Sequence, residues 1–321
     1  MRTAAITRGV CRSVVAIWLA AVVPLAAHAA ITEAYLQRFD TRKHLIGLSD
    51  GETLAYIDIG PRNALPIVLL HGYTDSARDW APIAPFLSGR FRLIIPDLRG
   101  QGASSKPDCC YTRFDFAYDI KLLLERLKLP SAVVVGHSLG SLVAQTFAEE
   151  WPWRTRRLIL ISSTGTYFGP AAEGASGQAC PSVETVLPAS LDGAEQLKDP
   201  IDPDSAFMKS WWHESMRINP PFFSSRQRRD AAAIPARVWR AIADQSLLGV
   251  DVHYMLPRIK APTLLIWGGE DTLEGPAGRV ALRSGIKGAQ VRNFPSLGHD
   301  LIWQDPQGVA RAMTLFIEGP S

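Results

Sequence analysis

The sequence predicts an α/β protein whose mostly parallel sheet is covered by helices on both faces. Short, nearly continuous runs of valine, isoleucine and leucine recur along the chain, as in strands that are buried on both faces. Helical patterns separate most of these runs, and strands that alternate with helices favour a parallel sheet. The eight runs lie at residues 45–48, 53–59, 67–70, 93–95, 132–135, 158–161, 264–267 and 291–294.

The first two runs differ from the others in how they are connected. They flank Ser49-Asp50-Gly51, a turn sequence typical of a hairpin, so the sheet is expected to begin with antiparallel strands. Further along, apolar residues at helical spacing predict helices over residues 116–129, 139–149 and 309–317. A chain of 321 residues is long enough for one large α/β domain with an insertion.

Residues 166–255 interrupt the alternation, because no buried strand is evident there. We therefore predict a helical insertion over 166–255 in a main domain formed by 30–165 and 256–321. Such an insertion would lie above the strand ends, where open α/β sheets bind ligands. Its aromatic residues could line a pocket for an apolar group or only pack the insertion onto the main domain. These residues are Trp211, Trp212, Phe222, Phe223 and Trp239.

The first 29 residues have the layout of a secretory signal peptide. Three arginines precede an apolar run at residues 14–27, and Ala27-His28-Ala29 offers small residues at the two positions that a signal peptidase reads. We expect cleavage after Ala29 and a periplasmic or secreted protein. An uncleaved signal that anchors the chain in a membrane is the alternative.

Three cysteines follow the predicted cleavage site, and an oxidising compartment permits disulfides. We expect Cys180 to pair with Cys109 or Cys110, which would tie the insertion to the main domain. The cysteine spacing does not fit a zinc site, which needs repeated cysteine or histidine pairs.

The charge of the chain gives no sign of a nucleic-acid partner. The formal net charge is only +3, and no dense cluster of lysine and arginine is interleaved with aromatic residues.

A serine in a strand-to-helix turn is the strongest chemical signal. Gly136-His137-Ser138-Leu139-Gly140 directly follows the predicted strand 132–135 and directly precedes a predicted helix. A serine on such a sharp turn has strained backbone angles, and small flanking residues leave room for the turn. Ser138 is therefore the candidate nucleophile.

A serine hydroxyl needs a base that takes its proton, and in this arrangement the acid and the histidine follow the serine in the chain. Asp271 follows the strand 264–267, and His299 follows the strand 291–294. His299 has the required order and location, and Asp271 would hold its imidazole in the correct tautomer. Glu270 is the rival acid.

Two backbone amides are candidates to bind the oxyanion that develops during acyl transfer. The amide of Leu139 lies one residue past the nucleophile, and the amide of Tyr73 lies in the loop after the strand 67–70. His71, in the same loop, is interpreted as a structural residue. No metal ion or organic cofactor is implied.

The chain resembles the α/β-hydrolase superfamily, the serine esterase and lipase branch, from about residue 52 to 316. The motifs that carry the resemblance are His71-Gly72-Tyr73, residues 96–104, Gly136-His137-Ser138-Leu139-Gly140, residues 262–271 and Gly298-His299. The resemblance implies an eight-stranded sheet and makes the insertion a cap over the active site. Dehalogenases and epoxide hydrolases of this superfamily have aspartate at the nucleophile, where this chain has Ser138.

The expected activity is hydrolysis of a small carboxylic ester or lactone with an apolar group. Three alternatives stay open. A carbon–carbon bond hydrolase or a cofactor-free perhydrolase would use the same three residues. A binding protein with the same fold would capture a ligand and turn it over slowly.

Overall fold

The computed structural model describes residues 31–166, 197–211, 222–247 and 253–319. The predicted signal peptide, Cys180 and Trp212 lie outside these ranges, as do the side chains of Phe222 and Phe223. In the described part of the chain, no helix is both long and apolar enough to cross a membrane.

An eight-stranded sheet confirms the predicted fold class. Its strands are β1 (His44–Gly47), β2 (Thr53–Ile59), β3 (Pro66–Leu70), β4 (Arg92–Pro96), β5 (Ala132–His137), β6 (Thr155–Ile161), β7 (Thr263–Gly268) and β8 (Gln290–Phe294). Their spatial order is β1-β2-β4-β3-β5-β6-β7-β8. Strand β2 is antiparallel to β1 and to β4, and all other neighbours are parallel. The hairpin at the start of the sheet is therefore as predicted.

Helices connect most of the strands. In chain order they are α1 (Glu33–Asp40), α2 (Ala84–Leu87), α3 (Arg113–Arg126), α4 (Leu139–Glu150), α5 (Ala206–Trp211), α6 (Phe222–Ala232), α7 (Ala236–Ile242), α8 (Pro276–Gly285), α9 (Leu301–Gln304) and α10 (Pro306–Glu318). Helix α3 begins three residues before its predicted start. Thr112 and Asp115 form a capping box there, and this polar signal precedes the apolar periodicity.

Both faces of the sheet are buried, because successive side chains of a strand point to opposite faces. In β5, Val133 and Val135 join one apolar cluster, which includes Phe316 of α10. Val134 joins the other cluster with Phe147 of α4. This double burial explains why the strands read as continuous apolar runs.

Helices α5, α6 and α7 lie between β6 and β7 in the chain, within the predicted insertion, and we call them the cap helices. Trp239 of α7 is fully buried. Its ring packs against Tyr73 at 5.4 Å and Trp211 at 5.5 Å between ring centroids. Its indole N–H donates to the carbonyl of Ala231 at 3.0 Å. Trp239 therefore packs the cap helices onto the loop after β3.

A disulfide bond joins Cys109 to Cys110 in the loop after β4. The expected pairing of Cys180 with one of these cysteines is therefore wrong, because both sulfurs are already bonded. The reason is local: adjacent cysteines meet without any long-range approach of the chain, and Cys110 has a positive φ of 75°.

Removing the Trp239 ring should destabilise the protein. We expect Trp239→Ala to lower the free energy of unfolding by about 3–5 kcal/mol, the usual cost of a large-to-small change at a buried aromatic residue. Denaturant unfolding measures this change. The matched control is Trp153→Ala, because Trp153 is 73% exposed; the expected change there is within about 0.5 kcal/mol. Equal losses in both variants would contradict the packing role of Trp239.

Candidate active site

The turn between β5 and α4 gives Ser138 strained backbone angles. Its φ is 51° and its ψ is −121°, in a region that non-glycine residues seldom adopt. A Cβ on Gly136 would overlap the backbone of Gly140, and a Cβ on Gly140 would overlap the carbonyl of Leu70. Glycine at these two positions is what lets the turn close so tightly. The predicted strand–serine–helix geometry is therefore present.

The structure brings together three side chains that are far apart in the sequence. Nε2 of His299 lies 2.9 Å from Oγ of Ser138, and Nδ1 of His299 lies 2.9 Å from Oδ2 of Asp271. His299 and Asp271 are buried, and each is 8% exposed. A carboxylate can only accept a hydrogen bond, so Nδ1 carries a proton and Nε2 is free to accept the serine proton.

Asp271 is held as an anion. Burial by itself opposes ionisation, but the adjacent His299 and the amide of Leu273, which donates to Oδ1 at 3.0 Å, lower the pKa of Asp271 below its usual value. The rival acid from the sequence, Glu270, is exposed, and its amide donates to the carbonyl of Leu297 at 2.9 Å. Asp271 is therefore the acid that pairs with His299.

The two predicted oxyanion amides belong to segments that adjoin the serine. Leu139 is the first residue of α4, where the N–H groups have no partner within the helix. Tyr73 lies in the loop 71–75, which we call the β3 loop. This loop closely approaches the serine, since a Cβ on Gly72 would lie 3.5 Å from Cβ of Ser138. Binding of an oxyanion by these amides stays a prediction.

The cap helices hold the β3 loop. The hydroxyl of Tyr73 donates to the carbonyl of Trp239 at 2.6 Å. The indole N–H of Trp211 donates to the hydroxyl of Thr74 at 3.3 Å. The side-chain amide of Gln227 donates to the carboxylate of Asp75 at 2.6 Å. Three consecutive residues of the loop therefore contact three different cap helices.

A buried histidine next to the serine carries a positive charge. The two ring nitrogens of His137 lie 3.1 Å from Oδ2 of Asp79 and 3.1 Å from the carbonyl oxygen of His299. Both partners are acceptors, so both nitrogens must be protonated. Burial disfavours this charge, but Asp79 outweighs it and raises the pKa of His137 to about 9. His137 is therefore not the base, because neither of its ring nitrogens is free to accept a proton.

The Asp79 carboxylate connects this charged ring to two further elements. Its Oδ1 accepts the indole N–H of Trp303 at 2.9 Å, and its Oδ2 accepts the amide of Gly72 at 3.3 Å. The carbonyl of His299 also accepts the hydroxyl of Ser162 at 2.7 Å. The ion pair of His137 and Asp79 therefore fixes the β3 loop and the backbone of the candidate base together.

His71 has the structural role that the sequence indicated. Its Nδ1 donates to the carbonyl of Gly72 at 2.8 Å, and its Nε2 accepts the amide of Leu98 at 2.9 Å. This pattern requires a neutral ring. The pKa of His71 is lowered, mainly by burial, and this agrees with a neutral ring.

Sequence reasoning missed Asp79, Ser162 and Glu274. Asp79 lies in a 3₁₀ turn at residues 77–80, and nothing in its neighbourhood distinguishes it from a surface aspartate. Ser162 follows β6 and has a positive φ of 47°, which no local sequence motif predicts. Glu274 comes three residues after Asp271, and that spacing was the only available signal.

Several known proteins are similar to this chain in sequence or in fold. A family model described as the alpha/beta hydrolase fold matches residues 66–189. Lipase 1 of Psychrobacter immobilis is 27% identical over 264 residues, which cover 78% of this chain and 76% of the lipase. A non-heme chloroperoxidase of Streptomyces lividans is 40% identical over 117 residues, which cover 36% of this chain and 42% of that protein.

A solved structure gives the same answer for the fold. The enol-lactonase of Burkholderia xenovorans LB400 superposes with a TM-score of 0.71 at 21% identity, over 86% of this chain and all of the lactonase (100%). The chain therefore has the α/β-hydrolase fold. The serine, the histidine and the aspartate described above lie at the carboxyl ends of strands β5, β8 and β7 of its sheet.

The ion pair of His137 and Asp79 should make stability depend on pH in the alkaline range. The folded-state pKa of about 9 lies above the ordinary value of 6.5. The stabilisation is therefore complete below about pH 6.5 and is lost as the pH rises through about 9. We expect the gap in unfolding free energy between wild type and His137→Gln to narrow from pH 6 to pH 10, as measured by denaturant titration.

A variant of Asp79 tests whether the ion pair causes this pH dependence of stability. Asp79→Asn removes the anion that raises the pKa of His137, so its gap to wild type should narrow over the same range. A gap that stays constant from pH 6 to pH 10 in both variants would show that His137 is neutral in the folded protein.

Proposed function

We propose that this protein is a serine hydrolase that cleaves a small carboxylic ester or lactone through an acyl-enzyme intermediate. The observation that carries the proposal is the chain of hydrogen bonds from Asp271 through His299 to Ser138, with 2.9 Å at each step. These hydrogen bonds connect a nucleophile, a base whose Nε2 accepts a proton, and an anion that stabilises the base once it is protonated.

In the first half-reaction the substrate is divided in two. The Oγ of Ser138 attacks the carbonyl carbon while Nε2 of His299 takes the hydroxyl proton. The carbonyl oxygen becomes an oxyanion, for which the amides of Tyr73 and Leu139 are the donors. When the tetrahedral adduct collapses, the carbon–oxygen bond of the ester breaks. His299 gives its proton to the leaving alkoxide, and the acyl group stays on Ser138.

In the second half-reaction water takes the place of the alcohol. His299 removes a proton from a water molecule, whose oxygen attacks the acyl carbon. The bond to Oγ of Ser138 then breaks, and the proton returns to that oxygen. The carboxylic acid leaves and the enzyme is restored, so no external oxidant, reductant or cofactor takes part.

The related proteins support an ester or lactone substrate. One relative is named a lipase, and one structure of the same fold is named an enol-lactonase. The aromatic rings of Tyr73 and Trp211, 5.5 Å apart between centroids, lie on the β3 loop and the cap above it and favour an apolar group on the substrate. The apolar leader at residues 14–27 supports export to the periplasm or the medium.

A second candidate is a perhydrolase that uses the same acyl-enzyme. The 40% identity to a chloroperoxidase over 117 residues favours it. In that reaction hydrogen peroxide replaces water, loses a proton to His299, and attacks the acyl carbon to give a peracid. Oxidation of bromide in the presence of acetate and hydrogen peroxide would detect the peracid, and an absence of this oxidation would remove the candidate.

Loss of the Ser138 hydroxyl should abolish activity. We expect Ser138→Ala to lose hydrolysis of p-nitrophenyl acetate and covalent labelling by a fluorophosphonate, because no other group stands at the nucleophile position. The control is Ser284→Ala, at an exposed position on α8, which should keep both activities. Equal ester cleavage by Ser138→Ala and wild type would exclude Ser138 as the nucleophile.

A substrate panel tests the finer assignment. We expect kcat/KM to be higher for esters and lactones with uncharged, apolar acyl groups than for substrates with a charged acyl group or an amide bond. Initial rates on p-nitrophenyl esters of graded chain length, lactones, thioesters and anilides give the comparison. A preference for the anilides would contradict the proposal for esters and lactones while leaving Ser138 as the nucleophile.

A further inference from the structure

A second carboxyl group lies beside the acid and the base of the site. Glu274 is 4% exposed, and its side chain has no exposed surface. Neither of its carboxyl oxygens has a hydrogen-bond partner among the described residues. A buried polar group without a hydrogen bond costs free energy, so a carboxyl group in this state needs an explanation.

The position of this carboxyl offers one. One ligand atom each from Asp271, Glu274 and His299 lie within 4.8 Å of one another. Glu274 is therefore a small displacement away from hydrogen-bond distance of the imidazole that Asp271 now orients. Both acids lie in the segment between β7 and α8, three residues apart, so the same backbone carries them to the ring.

Glu274 forms an ion pair with Arg279 that is not a hydrogen bond. The Nε of Arg279 lies 3.7 Å from Oε2 of Glu274, and among the described residues neither this Nε nor the Glu274 oxygens have a hydrogen-bond partner. The guanidinium of Arg279 donates instead to the carbonyl of Gly268 at 2.9 Å and lies over the ring of Trp267. The ion pair with Arg279 therefore leaves both carboxyl oxygens of Glu274 without a hydrogen bond, at a site where one of its oxygens is within 4.8 Å of ligand atoms of Asp271 and His299.

We propose that Glu274 is a second acid of this site. It is a positioning residue that orients the His299 imidazole and stabilises its protonated form when the Asp271 carboxylate does not make that hydrogen bond. This inference rests on the proposed function, since it concerns the base of that reaction. In the wild type Asp271 makes the hydrogen bond to His299, and Glu274 lies beside it.

The charges around Glu274 agree with this arrangement. Burial, and then repulsion by the anion of Asp271, raise the pKa of Glu274 well above its usual value, while Arg279 lowers it. The negative charge is therefore favoured on Asp271 over Glu274. Loss of the Asp271 carboxylate removes the repulsion and so lowers the pKa of Glu274, which favours a Glu274 carboxylate as the acceptor of the Nδ1 proton of His299.

A double-mutant cycle tests the proposal, with the rate of fluorophosphonate labelling and kcat for p-nitrophenyl acetate as readouts. We expect Asp271→Ala/Glu274→Gln to lose roughly 10⁴-fold in kcat, the loss typical of a triad histidine without its acid. Asp271→Ala alone should keep at least about tenfold more activity than the double variant. Glu274→Gln alone should lose less than about fivefold, because Asp271 is still present.

The pH profile separates a charged partner from a merely structural one. The extra activity of Asp271→Ala over the double variant requires the Glu274 carboxylate, so it should disappear as acid protonates that group. Asp271→Ala/Glu274→Asp, which keeps a carboxylate on a shorter side chain, should recover part of the activity that the glutamine variant loses.

Each outcome has a distinct meaning. Equal activity of Asp271→Ala and Asp271→Ala/Glu274→Gln at every pH would overturn the role of Glu274. Absence of labelling in the wild type would instead remove the proposed function. Thermal unfolding of every variant checks the fold. If Asp271→Ala does not fold, Asp271→Ser with and without Glu274→Gln makes the same comparison, because serine is short and has no amide group that would donate to Nδ1 of His299.

Discussion

The site depends on a buried ion pair that takes no part in the proposed bond changes. His137 and Asp79 lie beneath the serine, and each is bonded to a segment that the reaction needs. An uncompensated charge at this depth would cost several kcal/mol, so neither partner can be lost alone. The pair therefore acts as a common fixed point for the β3 loop, the serine turn and the backbone of His299. The same segments carry the candidate nucleophile and base, whose side chains lie 2.9 Å apart.

The parts of this arrangement that the sequence predicts are those with local signals. Continuous apolar runs locate the strands, because both faces of the sheet are buried. Gly136 and Gly140 reveal the serine turn, because only glycine fits where a Cβ would overlap backbone atoms. The order of Ser138, Asp271 and His299 along the chain, together with their positions after predicted strands, identifies them as candidates, with Glu270 as the rival acid. Asp79, Ser162 and Glu274 gave no such signal, because their roles arise only when distant strand ends meet.

The disulfide is a feature that the sequence analysis predicted wrongly. A pairing of Cys180 across the chain was expected from the count of cysteines and from the predicted compartment. Cysteine counts carry no information about distance, and two adjacent cysteines form a bond that no spacing rule favours over the others. For the cap aromatics the sequence left two interpretations open. The full burial of Trp239 favours packing for that residue, while Trp211 remains half-buried beside the β3 loop.

The grip of the cap helices on the β3 loop has a consequence for how such a protein can diversify. The backbone amide of Tyr73 is a predicted oxyanion donor, and its hydroxyl donates to the carbonyl of Trp239. A different insertion in place of the cap helices would leave the Tyr73 hydroxyl buried without an acceptor, and the Tyr73 amide would shift. A change of substrate through the cap therefore requires matching substitutions in the cap helices and in the β3 loop. Each segment restricts the substitutions that the other can accept.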